Sequence, residues 1–299
     1  MGKNYKEGLN FSKLIMVNIA HIVNPVNISS TSDLFEAQPV TFESMLNAKK
    51  YSKFKENIFQ YAIGFDEDIP VFPNEFIQLP SMKRSILDTG KFAKKRKLPL
   101  IKDILLPLLK EEQIDYIIYT NVDIAVLPFF YDFIFDKISR GSDSLIINRR
   151  VIDKIDSSSA MFAEIGDPHP GYDCFVFKKE ILNSFKFENV CIGANWIGRT
   201  MLSNLVAFSS KLEILKDKHL TFHIGDDGAW LSNDFSEFDK NNKKETYKVI
   251  EYLQKVVSNE ELEKSLAEIL DFMDNFGIKR IKKPSIIKRV KNKIIYLLK

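Results

Sequence analysis

In the segment YIIYTNVDIAVLP, residues 116–128, an apolar run opens directly onto Thr120, Asn121 and Asp123. An amide and a carboxylate at the exit of a buried strand lie where open α/β sheets bind ligands. In extended alternation Asn121 and Asp123 point to one side, with Val122 and Ile124 on the other. Such a pair can hold a divalent cation or a sugar hydroxyl; an aspartate there can equally cap backbone N–H groups ahead of the next helix. A second carboxylate, Asp173, stands just before the apolar stretch 174–177 in IGDPHPGYDCFVF. It can receive a hydroxyl proton or hydrogen-bond a sugar, or act as an Asx-turn residue. Asp167 and His169 share its Gly/Pro-rich loop.

His219 and His223, in HLTFHIGDDG, are four residues apart. On a helix that spacing puts two imidazoles on one face. Thr221, Phe222 and Gly225 favour a strand or loop instead, where the two rings stand about 13 Å apart and do not share one ion. In CIGANWIGRTML, Trp196 beside two glycines can stack on the apolar face of a sugar or fill the core, and Arg199 can pair with phosphate. Arg84, Lys97, Lys102, Arg149 and Arg150 are candidate diphosphate contacts, each also readable as a solvated charge. The phosphate cradles GxGxxG and GxxxxGK[ST] are absent, so neither a dinucleotide dehydrogenase nor a P-loop NTPase is supported.

These residues need elements to hold them. Residues 14–23 read as a first buried strand ended by Asn24-Pro25, 41–54 as a helix, and 57–65 as a second strand. A basic patch, KFAKKRK, leads into a helix with apolar Ile101, Ile104, Leu105 and Leu108, followed by the strand at 116. Residues 129–138 read as helix and 144–150 as strand; a strand at 174–177, a late strand before the Gly-Asp loop, and helices over 241–275 complete the order. Strand and helix alternate as in a doubly wound α/β domain.

The chain has 299 residues, is 45% hydrophobic and carries 24 Phe, enough for one sizeable core or two smaller ones. Cys174 and Cys191 are its two cysteines, with no metal or disulfide spacing around them, which points to a reducing cytoplasm. No run reaches the roughly 18 apolar residues of a membrane span, and the N-terminal apolar stretch, broken by Asn18 and His21, lacks a signal cleavage site. The net charge of +3 is uneven: residues 279–299 hold nine Lys or Arg and no acid, leaving 1–278 at −6. That distribution argues against a nucleic-acid-binding protein. After Pro284, apolar Ile286, Ile287, Val290, Ile294, Leu297 and Leu298 share a helical face flanked by Lys288, Arg289, Lys291 and Lys293. This basic amphipathic tail suits an anionic membrane surface, or docking of its apolar face on the domain.

Asn121-Val122-Asp123, after a hydrophobic strand and before an apolar aromatic segment, resembles the Asp-x-Asp segment of GT-A-type glycosyltransferases over a chain region of roughly 12–230. The resemblance implies an α/β fold with a GT-A-like open mixed sheet flanked by helices and a C-terminal helical extension. It implies a nucleotide-sugar-binding and catalytic domain over 1–235, helices packing on it over 236–278, and the basic tail over 279–299. It further implies a sugar transfer from a nucleotide-sugar donor to a glycan or lipid-linked acceptor, in bacterial-type surface polysaccharide synthesis, at the inner face of a membrane. Asp123 then ligates Mn²⁺ or Mg²⁺, His223 supplies the family's late histidine ligand, and Asp173 is the catalytic carboxylate. Asn121, Lys102, Arg149 and Trp196 join Asp123 in holding the donor. Asn121 departs from the acidic first position and brings no charge. The acceptor-side acid common in this family has no counterpart between Cys191 and Leu212. Two other readings stay open: a membrane-associated binding or scaffold protein with this fold and no turnover, and a metal-dependent hydrolase built on the two late histidines.

Overall fold

The computed structural model describes residues 17–152, 155, 157–216, 218–225 and 235–257. By contact the chain divides into units 1–253 and 254–299, and the sheet with the helices packed on it belongs to the first. The basic tail lies outside the described residues, as does most of the expected helical stretch beyond 256.

Among the described residues nine strands form one sheet: β1 (Ile19–Val23), β2 (Ile58–Ala62), β3 (Ile77–Gln78), β4 (Tyr116–Thr120), β5 (Ile124–Val126), β6 (Ser144–Ile152), β7 (Asp167–Lys178), β8 (Leu212–Leu215) and β9 (Thr221–Ile224). Their order is β3-β2-β1-β4-β7-β6-β9-β5, with β8 beside β6. β3, β2, β1 and β4 run parallel, whereas β7 is antiparallel to both β4 and β6. β6 offers one edge in two pieces: residues 144–147 pair with β8, and 150–152 with β9. β4 thus lies mid-sheet with both faces covered, which is why Tyr116–Thr120 is wholly buried and reads as an unbroken apolar run.

Helix α1 (Asp33–Tyr51) starts eight residues before the expected position. Ser32 caps it through a bond from the Leu34 N–H, with Asp33 and Glu36 in its first turn complementing the helix dipole. Tertiary packing of Ala37, Val40 and Met45 carries the helix through Pro39, a helix breaker by propensity. The helix expected over Ile101 to Leu108 is a short α-helix, α2 (Ile101–Leu105), continued as 3₁₀ over Leu106–Lys110. Pro107 lacks the N–H that an α-helix would need there, and KFAKKRK upstream is a loop. Helix α3 (Phe130–Ser139) buries Phe130, Tyr131, Ile134 and Phe135, each worth about 1.5–3 kcal/mol of transfer free energy. They join the main core with Ile118, Val126, Ile147 and Val176, so a charge at Ile134 would split helix from sheet.

The Gly/Pro-rich stretch expected as a loop is the first half of the twelve-residue β7. Irregular register at Ile147/Asn148 and Asn148/Arg150 lets β6 follow it past the prolines. A short helix, α4 (Ser158–Met161), precedes β7, and α5 (Ile197–Phe208) follows it. Helix α6 (Ser236–Val256) begins five residues before the expected helical region and inserts Phe238 among Ile86, Leu100, Cys191 and Ala194. Among the described residues no helix is long and apolar enough to cross a membrane. Both cysteines are buried and unpaired.

Candidate active site

β4 ends at Thr120, and the chain turns at once: the Ile124 N–H donates to the Asn121 carbonyl, closing a turn that sends β5 off to pair with β9. The alternation expected across 121–124 therefore stops at Asn121. Val122 folds into the core at 8% exposure, and Asn121 and Asp123 are aimed at different partners.

Asp123 faces His223. The β5–β9 ladder sets Ile124 opposite His223, and the Ile224 N–H donates to the Asp123 carbonyl. This register brings Asp123 Oδ2 within 3.3 Å of His223 Nε2, with the side chains 15% and 2% exposed. The His223 Nδ1–H donates to the Gly225 carbonyl at 3.0 Å, so Nε2 carries the lone pair in the neutral ring. Asp123 Oδ1 is buried without a hydrogen-bond partner among the described residues, a costly state for a carboxylate oxygen.

Asn121 faces Asp173. Its Oδ1 accepts from the Tyr119 hydroxyl at 2.9 Å, and its Nδ2 donates to Asp173 Oδ1 at 3.4 Å. Tyr119 is fully buried, and burial beside Asp173 and Asp123 pushes its phenol far above the ordinary range, so it stays a donor. Asp173 Oδ2 lies 2.9 Å from Arg149 Nη1, an ion pair of two side chains only 12% and 18% exposed. The Arg149 Nε is buried without an acceptor among the described residues. Gly171 makes the approach possible: a Cβ there would sit 2.8 Å from His169 Nδ1 and 3.1 Å from Asp173 Oδ2. His169 turns inward along its own strand, where Nδ1 accepts the Gly171 N–H.

Of the five cations considered for diphosphate, Arg149 joins this cluster, through its contact with Asp173. Lys102 donates to Asn189 Oδ1 at 3.1 Å. Arg84 forms a fork with Asp103 at 2.7 and 2.8 Å, Lys97 pairs with Glu67, and Arg150 donates to the Ile165 and Gly166 carbonyls. Trp196 is 6% exposed, and its ring is overlaid by Arg199 at 4.7 Å and Lys243 at 5.4 Å, with Tyr247 against it. Those neighbours leave it a packed residue rather than an open sugar platform. Burial lowers the Arg199 guanidinium to about 10. Trp196 holds φ 88° at the N-cap of α5, a strained conformation for a bulky residue. Two residues on, a Cβ at Gly198 would come within 2.8 Å of the Tyr172 carbonyl. α5 therefore begins tightly against the strand that carries Asp173. His219 donates to the Glu164 carbonyl, away from the Asp123 partner of His223.

Two metal donors meet here. Among the described residues no group of three or more His, Cys, Asp and Glu is arranged to hold an ion. Adjacent ligands on an octahedral divalent cation lie about 3 Å apart at metal–ligand distances of roughly 2.1 Å, and the Asp123–His223 separation of 3.3 Å matches that edge. A carboxylate oxygen and an imidazole nitrogen with its other N–H anchored could together contribute two ligands to a divalent cation.

β1 and β4 pair in parallel mid-sheet, where the strand order reverses, and Asp123 follows the exit of β4; the fold is GT-A-like. Among solved structures the chain is similar to residues 1–349 of TarS from S. aureus at a TM-score of 0.52 and 14% identity, covering 87% of this chain and 73% of that one. The same TarS fragment in complex with UDP-GlcNAc aligns at a TM-score of 0.51, also with 14% identity and the same coverage. GalNAc-T7 with UDP, GalNAc and Mn²⁺ aligns at 0.47 and 11% identity, over 76% of this chain and 48% of that one. No family model and no curated protein matches the sequence.

Proposed function

We propose that this protein is a glycosyltransferase moving a sugar from a nucleotide-sugar donor to a glycan or lipid-linked acceptor. The observation that carries the reading is the Asp123–His223 pair, 3.3 Å apart at the exit of the central strand, with a further Asp123 oxygen buried and unpartnered among the described residues. Mn²⁺ or Mg²⁺ held by these two side chains would supply electrostatic stabilisation of the leaving diphosphate. Asn121, braced by Tyr119, faces a donor hydroxyl. Asp173, held in one orientation by Arg149 and Asn121, faces the acceptor. The acceptor oxygen attacks the anomeric carbon, the bond from that carbon to the diphosphate oxygen breaks, and the acceptor proton passes to the Asp173 carboxylate or to solvent. The acceptor belongs to bacterial-type surface polysaccharide synthesis, met at the inner membrane face through residues 279–299. TarS complexes with UDP and UDP-GlcNAc make UDP-sugars the first donors to try.

A donor screen comparing the protein with its Asp123→Ala variant tests this. Transfer is expected from one donor and abolished in the variant, whose circular dichroism and melting stay unchanged; full activity in the variant would end the reading. A second reading, a scaffold of the same fold without turnover, draws support from the uncharged Asn121 and from the two-donor metal set. Calorimetry with UDP, GDP and CMP, with and without Mn²⁺, separates the two, because the scaffold binds none of them.

A further inference from the structure

The loop after β3 carries Lys91, Lys94, Lys95, Arg96 and Lys97 with no acid among its seven residues, and all five cations are exposed. Such a run is ordinarily a loosely tethered, solvated segment. Here its backbone is fastened to α6. Glu237 accepts the Ala93 and Lys94 N–H groups at 2.8 and 2.6 Å, Phe92 stacks on Phe238 at 5.2 Å, and Arg96 lies over Phe235 at 4.4 Å. Helix α6 then adds exposed Lys240 and Lys244, one turn apart and both just past Phe238. Carboxylates that would otherwise balance these charges are turned inward: Asp239 binds Asn195 and Glu245 accepts the Asn189 N–H. Among the described residues Lys91, Lys95, Lys240 and Lys244 form no ion pair, and Lys95 donates to the Phe92 carbonyl of its own loop.

The band lies at the sheet end that carries Asp123. Lys97 sits 4.0 Å over Phe65, three residues past the end of β2, and the Met82 N–H binds the Gly64 carbonyl. Parallel β1, β2 and β4 put those loops at one end with the exit of β4. From the same loop Leu98 packs on Gly193, three residues before Trp196, and α5 starts against Tyr172, the neighbour of Asp173.

We infer that the acceptor is an anionic, phosphodiester-bearing chain guided toward Asp173 along the basic band of Lys91, Lys95, Lys240 and Lys244. This rests on the glycosyltransferase reading and specifies its acceptor. Exposed cations on a loop anchored to α6 attract a polyanion, and they steer it toward the cleft with a strong dependence on salt.

The test uses the full chain and the fourfold variant Lys91→Gln, Lys95→Gln, Lys240→Gln, Lys244→Gln, whose exposed positions leave folding intact, checked by melting. Fluorescence anisotropy follows a labelled glycerol-phosphate oligomer, a neutral glucan oligomer of equal length and an RNA of equal charge; phosphatidylglycerol vesicles are pelleted in parallel, and UDP affinity is read by calorimetry. Nucleoside diphosphate release from UDP-sugars is measured with and without the oligomer. The inference expects the glycerol-phosphate oligomer to bind roughly tenfold tighter than the glucan, to lose about tenfold in the variant, and to accelerate nucleotide release, with UDP affinity unchanged. Equal binding by the variant, equal binding of the neutral oligomer, or preference for RNA or vesicles overturns it. Retained oligomer binding in a protein that takes no nucleotide sinks the glycosyltransferase reading instead.

Discussion

Two buried histidines meet the segment that leaves the central strand, one at Thr120 and one at Asp123, and they have been given opposite surroundings. His21 on β1 is fully enclosed, with Nδ1 on the Tyr131 hydroxyl at 2.8 Å and Nε2 on the Thr120 hydroxyl at 2.9 Å. Gln60 extends that network to the Met45 carbonyl. All its contacts are neutral, so burial alone acts on the ring and lowers it from 6.5 to about 3. His223, at 2% exposure, has one nitrogen anchored on a backbone carbonyl and the other directed at a carboxylate. A histidine enclosed by hydroxyls holds the fold together; one that shares a burial site with an aspartate whose Oδ1 has no hydrogen-bond partner among the described residues keeps capacity for a ligand.

Breaking the Asp123–His223 side should give the largest effect. Asp123→Ala is expected to lower kcat by about 10³-fold with melting unchanged, measured by nucleotide release with the competent donor. Next, His223→Gln should weaken Mn²⁺ binding by about 100-fold, read by metal titration; an unchanged titration would show that the two residues do not act as one site.

The His21 side should answer in stability alone. Its folded value lies below the unfolded one, so between about pH 6.5 and 3 the unfolded chain binds the extra proton. The histidine's contribution is complete above that window and declines as pH falls through it. Urea unfolding at pH 7 and pH 5 should show the wild type losing about 2 kcal/mol more than His21→Gln between the two, while kcat per folded molecule is the same. Equal slopes, or a loss of kcat, would erase the contrast. The smallest change is Tyr119→Phe, which removes the brace on Asn121: donor KM should rise a few-fold, in line with about 1 kcal/mol for one hydrogen bond, with kcat retained.

Much of this was legible in advance wherever local pattern coincided with final environment. The apolar run at 116 is a buried central strand, 129–138 is a helix within one residue, and the acid after β4 sits at its exit. The misreadings of secondary structure share a cause. Pro39 lies inside a helix because packing outweighed propensity, and the Gly/Pro stretch at 167–173 became a strand because β6 could bulge to meet it. Lys102 and Trp196 stood out by residue type, and their partners come from segments near 189, 199 and 243 that no spacing rule links to them. The Arg149–Asp173 pair was missed as a pair. Its one visible signal was a basic pair ending one strand and an acid starting another, which becomes contact only through antiparallel pairing of β6 with β7.

The amino-acid sequence by itself determined the strand–helix alternation, the carboxylate at the end of the central strand, the late histidine and the uneven charge, because these follow from periodicity and residue chemistry within a few positions of each other. Tertiary structure alone decided that Asp123 meets His223, that Asp173 is held by Arg149, and that a basic loop is pinned beside α6. Each of those depends on strand register or on contacts between segments far apart in the chain, and in a sheet a shift of one residue would turn every side chain to the other face.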